Sequence, residues 1–193
     1  MAPPTNYILC GLLSAMVKIP LLNFTPFTFY FLAFYFLSLF SLFSISDFYV
    51  FWVVIELAML FFIGFCYRTF TLGFSSLMLY FLIQTVASFS LFVFYLFDCS
   101  SLFVFSLFLK LSMFPFSSWF LSVVYRFTNV SLFLSSRFHK IPPFLILSFF
   151  LPSDSLSLLF LSSIFTLFFS GAVILSSVDF RLLLLASSVG NNS

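Results

Sequence analysis

The chain of 193 residues is 63% hydrophobic and only 6% charged, with seven Lys/Arg, five Asp/Glu and a mean hydropathy of +1.27. A soluble domain cannot keep itself dispersed with so few charges, so the sequence reads as an integral membrane protein. The net charge of +2 comes from singly scattered residues, which excludes a basic stripe for nucleic acid. Cys10, Cys66 and Cys99 are far apart and lack CxxC spacing, which excludes a disulfide framework and a zinc or iron–sulfur site; no metal is expected.

Taken in chain order at about 20 apolar residues per crossing, the sequence predicts an all-α, polytopic transmembrane bundle forming one domain, 1–193. Residues 1–20 contain an apolar run, Tyr7 to Val17, too short to span and bounded by Lys18 and Pro20, so an interfacial or re-entrant segment is expected there. Six full spans follow, at about 24–46, 48–67, 74–97, 101–125, 129–152 and 155–178. Residues 182–193 form an incomplete final helix, because the nine residues Leu182 to Gly190 reach about half of a 30 Å hydrocarbon core. Its polar end, Gly190-Asn-Asn-Ser193, is expected to need cover from another chain.

The loop charges alternate. Lys18, Arg68, Arg126 and Arg181 fall at one set of boundaries and Asp47, Asp98 and Asp154 at the other, which places the basic set on the matrix or cytoplasmic side. The 37 phenylalanines exceed what packing requires and point to a T-rich genome such as a mitochondrial one. The N-terminus shows neither the Arg-rich amphipathic pattern of an import presequence nor the charged start of a secretory signal. A multi-pass protein of the mitochondrial inner membrane, embedded in the lipid bilayer, is therefore expected.

Polar groups inside the spans are the candidate functional residues: Glu56 in the second, Gln84 and Ser88 in the third, Lys110 in the fourth, and Arg137, His139 and Lys140 in the fifth. A charge at membrane depth is unfavourable by roughly 2.5–3.5 kcal/mol on insertion scales, so such residues usually face a bundle interior and mark ion or proton routes. Pro115, Pro142 and Pro143 remove backbone donors, and the helices are expected to break near Lys110 and Lys140. Burial disfavours the charged form of a carboxyl or an amine that stands alone, so Glu56 beside Lys110 would hold that lysine protonated, and separation would release the proton. Arg137 and Lys140 are three apart and share a helical face, with His139 turned away. His139 reads either as a relay, since imidazole titrates near neutral pH, or as a packed structural residue. Arg137 could equally bind a lipid headgroup, and Gln84 and Ser88 read as interhelical contacts. There is no GxSxG, P-loop, HExxH or GxGxxG, so the chain carries no bond-making chemistry of its own.

Five blocks carry a resemblance. Trp52-Val-Val-Ile-Glu56-Leu-Ala-Met-Leu is similar to W-x-G-x-E-x-N-x-L, and Tyr80-Phe-Leu-Ile-Gln84-Thr-Val-Ala-Ser88 to K-Y-F-L-x-Q-A-x-A-S. Lys110-Leu-Ser-Met-Phe-Pro115-Phe-Ser-Ser-Trp119 is similar to K-L-G-x-A-P-F-H-x-W, His139-Lys140-Ile-Pro-Pro143 to W-Q-K-x-A-P, and Arg181-Leu-Leu-Leu-Leu-Ala-Ser187-Ser188 to R-K-x-L-A-Y-S-S. In this order they resemble the subunit 2 family of NADH:ubiquinone oxidoreductase, respiratory complex I. The related subunits 4 and 5 carry H-x-W-L-P-x-A-H after the proline, which is absent here.

The resemblance implies an antiporter-like subunit of a proton-pumping membrane arm, with Glu56 and Lys110 as the charge pair and Lys140 as the central lysine. It implies other membrane-arm subunits as partners, and NADH, FMN, iron–sulfur clusters and ubiquinone elsewhere in the complex, with none of these cofactors in this chain; bound lipids fit the same setting. The pattern departs at Ser117 and Ser118, where the family has a histidine, at Ser112, where it has glycine, and at Leu182, where it has lysine. The family also continues through further helices, so a separate chain supplying them, or accessory subunits in their place, is expected. Two other functions stay open: a scaffold that does not pump, and an independent cation/proton antiporter.

Overall fold

A computed structural model describes residues 26–69, 74–150 and 156–192, the side chains of residues 68 and 69 excepted. The expected N-terminal segment 1–20, with Cys10 and Lys18, lies outside the described residues, as do Asp154 and Ser193. Every regular element among the described residues is helical. In order these are α1 (Pro26–Ser41), a 3₁₀ turn (Leu42–Ser44), α2 (Phe48–Thr69), α3 (Phe74–Phe97), α4 (Ser100–Leu111) and α5 (Ser117–Val124). Then follow α6 (Asn129–Arg137), a second 3₁₀ turn (Phe138–Lys140), α7 (Ile141–Phe150), α8 (Leu156–Ser176) and α9 (Phe180–Gly190).

Four stretches among the described residues are long and apolar enough to cross a bilayer: Pro26–Ser44, Phe48–Tyr67, Phe74–Phe97 and Leu156–Ser176. The spans expected at 101–125 and 129–152 are each divided in two, into pieces of 12 and 8 residues and of 9 and 10. None of these pieces could cross alone at 1.5 Å per residue, so four of the six expected spans are matched by single helices long enough to cross and two are the broken ones. The division falls where the lysines and prolines stand.

Short turns bring neighbours together. Pro26 opens α1, where a missing N–H does no harm. Phe51 N–H bonds the Asp47 carbonyl at 2.9 Å to start α2. Asp98, at φ 52°, closes α3 by donating its N–H to Phe94 O at 2.8 Å, a left-handed conformation that aspartate tolerates better than most residues. Helix α1 packs on α2, α3 on α4, and α8 on α9, with α2 also against α3.

The centre of the bundle is aromatic: Tyr35, Phe51, Phe62, Tyr80, Phe103, Phe120 and Phe127 are all buried. Phe40, Phe160 and Phe168 face outward, 71%, 66% and 73% exposed, as lipid-facing side chains do. Serine and threonine survive in this setting by folding back. The hydroxyls of Ser38, Ser90, Ser106 and Thr166 each donate to the carbonyl three residues earlier, at 2.6–2.8 Å, so none of these four is left without a partner. On α8 the buried positions are Ser162, Thr166 and Ser170, a stripe of hydroxyl residues four apart.

The loop end of α9 is tied to the α5–α6 turn. Arg181 donates to Tyr125 O at 3.1 Å and to Asn129 Oδ1 at 2.5 Å, and its guanidinium carbon lies 6.0 Å from the centre of the Tyr125 ring. Tyr125 Oη in turn donates to Asp179 Oδ2 at 3.3 Å.

Two glycines make contrasting demands. A Cβ on Gly64 would lie 2.6 Å from Phe31 Cε1 and 2.8 Å from Cδ1, whereas one on Gly171 would meet nothing within 4 Å. Gly64→Ala should therefore destabilise the α1–α2 pair by roughly 1–3 kcal/mol through overpacking. Gly171→Ala should stabilise by up to about 1 kcal/mol through helix propensity. Denaturant unfolding of the two variants in lipid micelles checks the opposite signs.

Candidate functional site

Lys110 stands in the last turn of α4, which ends for a local reason. Ser112 adopts φ 54°, ψ 43°, its N–H bonds Leu109 O at 3.4 Å, and Met113 N–H bonds Phe108 O at 3.0 Å. This is the Schellman pattern, whose left-handed position favours glycine. The sequence departs from the resembled pattern at that residue, with serine for glycine. The serine hydroxyl donates to Leu111 O. The chain then turns through residues 112–116 and α5 begins at Ser117. Lys110 is buried, 7% exposed.

Lys140 closes the 3₁₀ turn between α6 and α7. Pro142 and Pro143 sit in the first turn of α7 and have no N–H to give to the carbonyls of Phe138 and His139, so continuous α-helix gives way to the tighter turn before them. Lys140 Nζ donates to Ser188 O on α9 at 2.6 Å and lies 5.2 Å from the centre of the Phe120 ring. The ammonium is therefore held by a backbone carbonyl and an aromatic face together.

Arg137 and Lys140 do not share a face. Arg137 is exposed while His139 and Lys140 are both buried. The helical-wheel expectation needs an unbroken helix, and the backbone at Arg137, φ −117° and ψ −64°, departs from one. His139 instead packs among aromatic rings, with centroids 6.2 Å from Tyr35 at 13° between planes, 5.2 Å from Phe62 and 5.8 Å from Tyr80. Tyr80 also lies 6.0 Å from Trp119. His139 Nδ1, Tyr35 Oη and Trp119 Nε1 are buried polar atoms with no hydrogen-bond partner among the described residues, and all three belong to rings around Tyr80 or His139.

Glu56, on α2, also leaves Oε1 buried without a partner. No ion pair joins it to Lys110 among the described residues. Gln84 and Ser88 are buried together on α3. The cross-helix bond there differs from the expected side-chain contact: the Ser88 hydroxyl turns back to Thr85 O at 2.9 Å, and the Ser88 carbonyl accepts Trp52 Nε1 from α2 at 2.9 Å. Among the described residues no three His, Cys, Asp or Glu side chains gather to hold a metal ion.

The sequence reading assigned no role to Asn192. It is buried beyond the end of α9, where its Nδ2 donates to Leu111 O at 2.5 Å. The polar end expected to need outside cover is thus covered at Asn192 by the chain itself. A carbonyl left over at a helix break is a contact that no local sequence pattern locates.

The chain matches the family model of the NADH:quinone oxidoreductase/Mrp antiporter membrane domain over residues 95–192, just over half its length. It belongs to that family, as a multi-pass membrane protein. No curated protein matches it. The matched region holds both helix breaks, both buried lysines and α9, while Glu56, Gln84 and Ser88 lie before it.

Trp52→Phe removes the indole donor to the Ser88 carbonyl of α3 and should destabilise by about 1 kcal/mol, the usual net value of one hydrogen bond. Ser88→Ala keeps the accepting carbonyl and should change stability by less than about half of that. Thermal unfolding of the two variants in detergent separates the carbonyl contact from a hydroxyl contact.

Proposed function

We propose that this chain is a core subunit of the membrane arm of a proton-pumping NADH:ubiquinone oxidoreductase, of the subunit 2 kind, and carries part of an intramembrane proton path. The observation that carries this reading is the pair of buried lysines, Lys110 and Lys140, each beside an interruption of its helix, with Lys140 bonded to Ser188 O on α9 and Asn192, just past α9, bonded to the carbonyl of Leu111 next to Lys110. Interrupted helices at membrane depth are a common way to build ion sites.

The residues suggest the roles. Lys110 is a proton carrier, since an amine held away from water exchanges its proton readily when a neighbouring charge changes. Glu56 sets that charge: approach favours ammonium at Lys110, and withdrawal favours release. His139, adjacent to Lys140 and packed among Tyr35, Phe62 and Tyr80, is the candidate relay in this reading. Arg137, exposed on α6, suits a lipid headgroup better than the path. Redox chemistry, with NADH, FMN, iron–sulfur clusters and ubiquinone, belongs to other subunits in this reading. Its setting is the mitochondrial inner membrane, and its partners are neighbouring membrane-arm subunits.

An independent cation/proton antiporter is the second reading, because the matched family embraces Mrp antiporters as well as the oxidoreductase. Purification of the native assembly distinguishes them: the first reading requires co-purification with a large redox complex, the second does not.

Lys110→Met should leave the complex assembled while lowering protons moved per electron, measured in vesicles by a pH-sensitive dye against NADH oxidation. An unchanged ratio in the assembled variant overturns the translocating role and leaves a scaffold. Lys110→Arg is no control, because a guanidinium does not release its proton at working pH. Glu56→Gln and Lys110→Met should show a coupling of roughly 0.5–3 kcal/mol in a double-mutant cycle on proton transfer; strict additivity would mean that the two groups act independently.

A further inference from the structure

We infer that Asn192 is a positioning residue for Lys110: by occupying the Leu111 carbonyl at the α4 break, its side-chain amide keeps that carbonyl from capturing the lysine. The effect on proton movement rests on the function proposed above, whereas the contact itself does not.

The geometry is specific. The Schellman turn at Ser112 uses the carbonyls of Phe108 and Leu109 and leaves that of Leu111, one residue beyond Lys110, outside the helix ladder. A carbonyl has two lone pairs. One takes the Ser112 hydroxyl and the other takes Asn192 Nδ2 at 2.5 Å. Because a carbonyl only accepts, the asparagine must present its NH₂ and not its oxygen. Lysines near a helix C-terminus bond the last free carbonyls when those are available.

The same segment treats the other lysine in the opposite way. Ser188 O, four residues earlier, accepts the Lys140 ammonium at 2.6 Å. Lys110, equally buried, has no hydrogen bond or ion pair among the described residues. The segment from Ser188 to Asn192 thus captures Lys140 and occupies the carbonyl one residue beyond Lys110, which leaves Lys110 as the lysine free to exchange its proton.

The test uses the full chain in its native membrane complex. Formaldehyde with a borane reductant methylates accessible amines, and mass spectrometry reads Lys110 and Lys140 separately in the same sample. Asn192→Leu, similar in size but without a donor, should slow methylation of Lys110 about tenfold, the equivalent of one hydrogen bond gained by the amine. The Lys140 rate should stay within about twofold, since its acceptor is backbone. Asn192→Asp should also slow Lys110, by offering it a carboxylate. Asn192→Gln should recover the native rate if its longer amide reaches Leu111.

Equal Lys110 rates in the native chain and in both Asn192→Leu and Asn192→Asp would overturn the inference. So would a matching change at Lys140, which would report general loosening of the bundle. Because the readout is chemical reactivity, normal proton transport by Lys110→Met would defeat the proposed function while the Asn192 result still stood or fell by itself.

Discussion

Lipid cannot satisfy a backbone carbonyl, so a helix interrupted at membrane depth must find a partner for every group that the interruption frees. This constraint organises the second half of the molecule. The break at Leu111–Ser112 is closed by the Schellman bonds, by the Ser112 hydroxyl and by Asn192. The break before Pro142 is closed by a 3₁₀ turn, with Lys140 reaching across to α9. Two interruptions far apart in sequence are thereby joined through one short helix.

Helix α9 is held at both ends. Arg181, Asn129, Tyr125 and Asp179 tie its first turn to the α5–α6 connection, and Ser188 with Asn192 tie its last turn to the breaks. Its near approach to α8, where a Cβ on Gly190 would lie 2.8 Å from Ser170 Oγ, leaves little room for sliding. Packing of small residues lets backbones approach, and polar contacts then fix the register. Both buried lysines thereby stand next to groups that α9 and Asn192 hold in place.

Around them the bundle is filled with aromatic rings and with leucine, valine and isoleucine side chains. Tyr35, Phe62 and Tyr80 pack around His139 and Trp119 packs on Tyr80; Tyr35 Oη, Trp119 Nε1 and His139 Nδ1 are buried there with no hydrogen-bond partner among the described residues. A buried polar atom without a partner is unfavourable by about 1–3 kcal/mol. Of the many phenylalanines, those such as Phe62 and Phe120 pack inside against His139 and Lys140, while Phe40, Phe160 and Phe168 face outward.

Much of this was legible in the residues alone. Composition set the solvent, since a chain 6% charged has no other place than a bilayer; loop charges marked the turns; and a lysine near a proline in an apolar run announced each broken helix. These are local properties that depend on a few neighbouring residues. Which groups meet was decided by tertiary structure. The wheel that paired Arg137 with Lys140 failed because the backbone leaves the helix at Arg137, and the wheel for Gln84 and Ser88 missed that the acceptor is a carbonyl. Asn192 and Leu111 are 81 residues apart, and no spacing rule joins them. Hydrogen bonding across a bundle depends on which backbone groups the breaks leave free and which side chains packing brings within 3 Å, and both are settled only when the helices are in place.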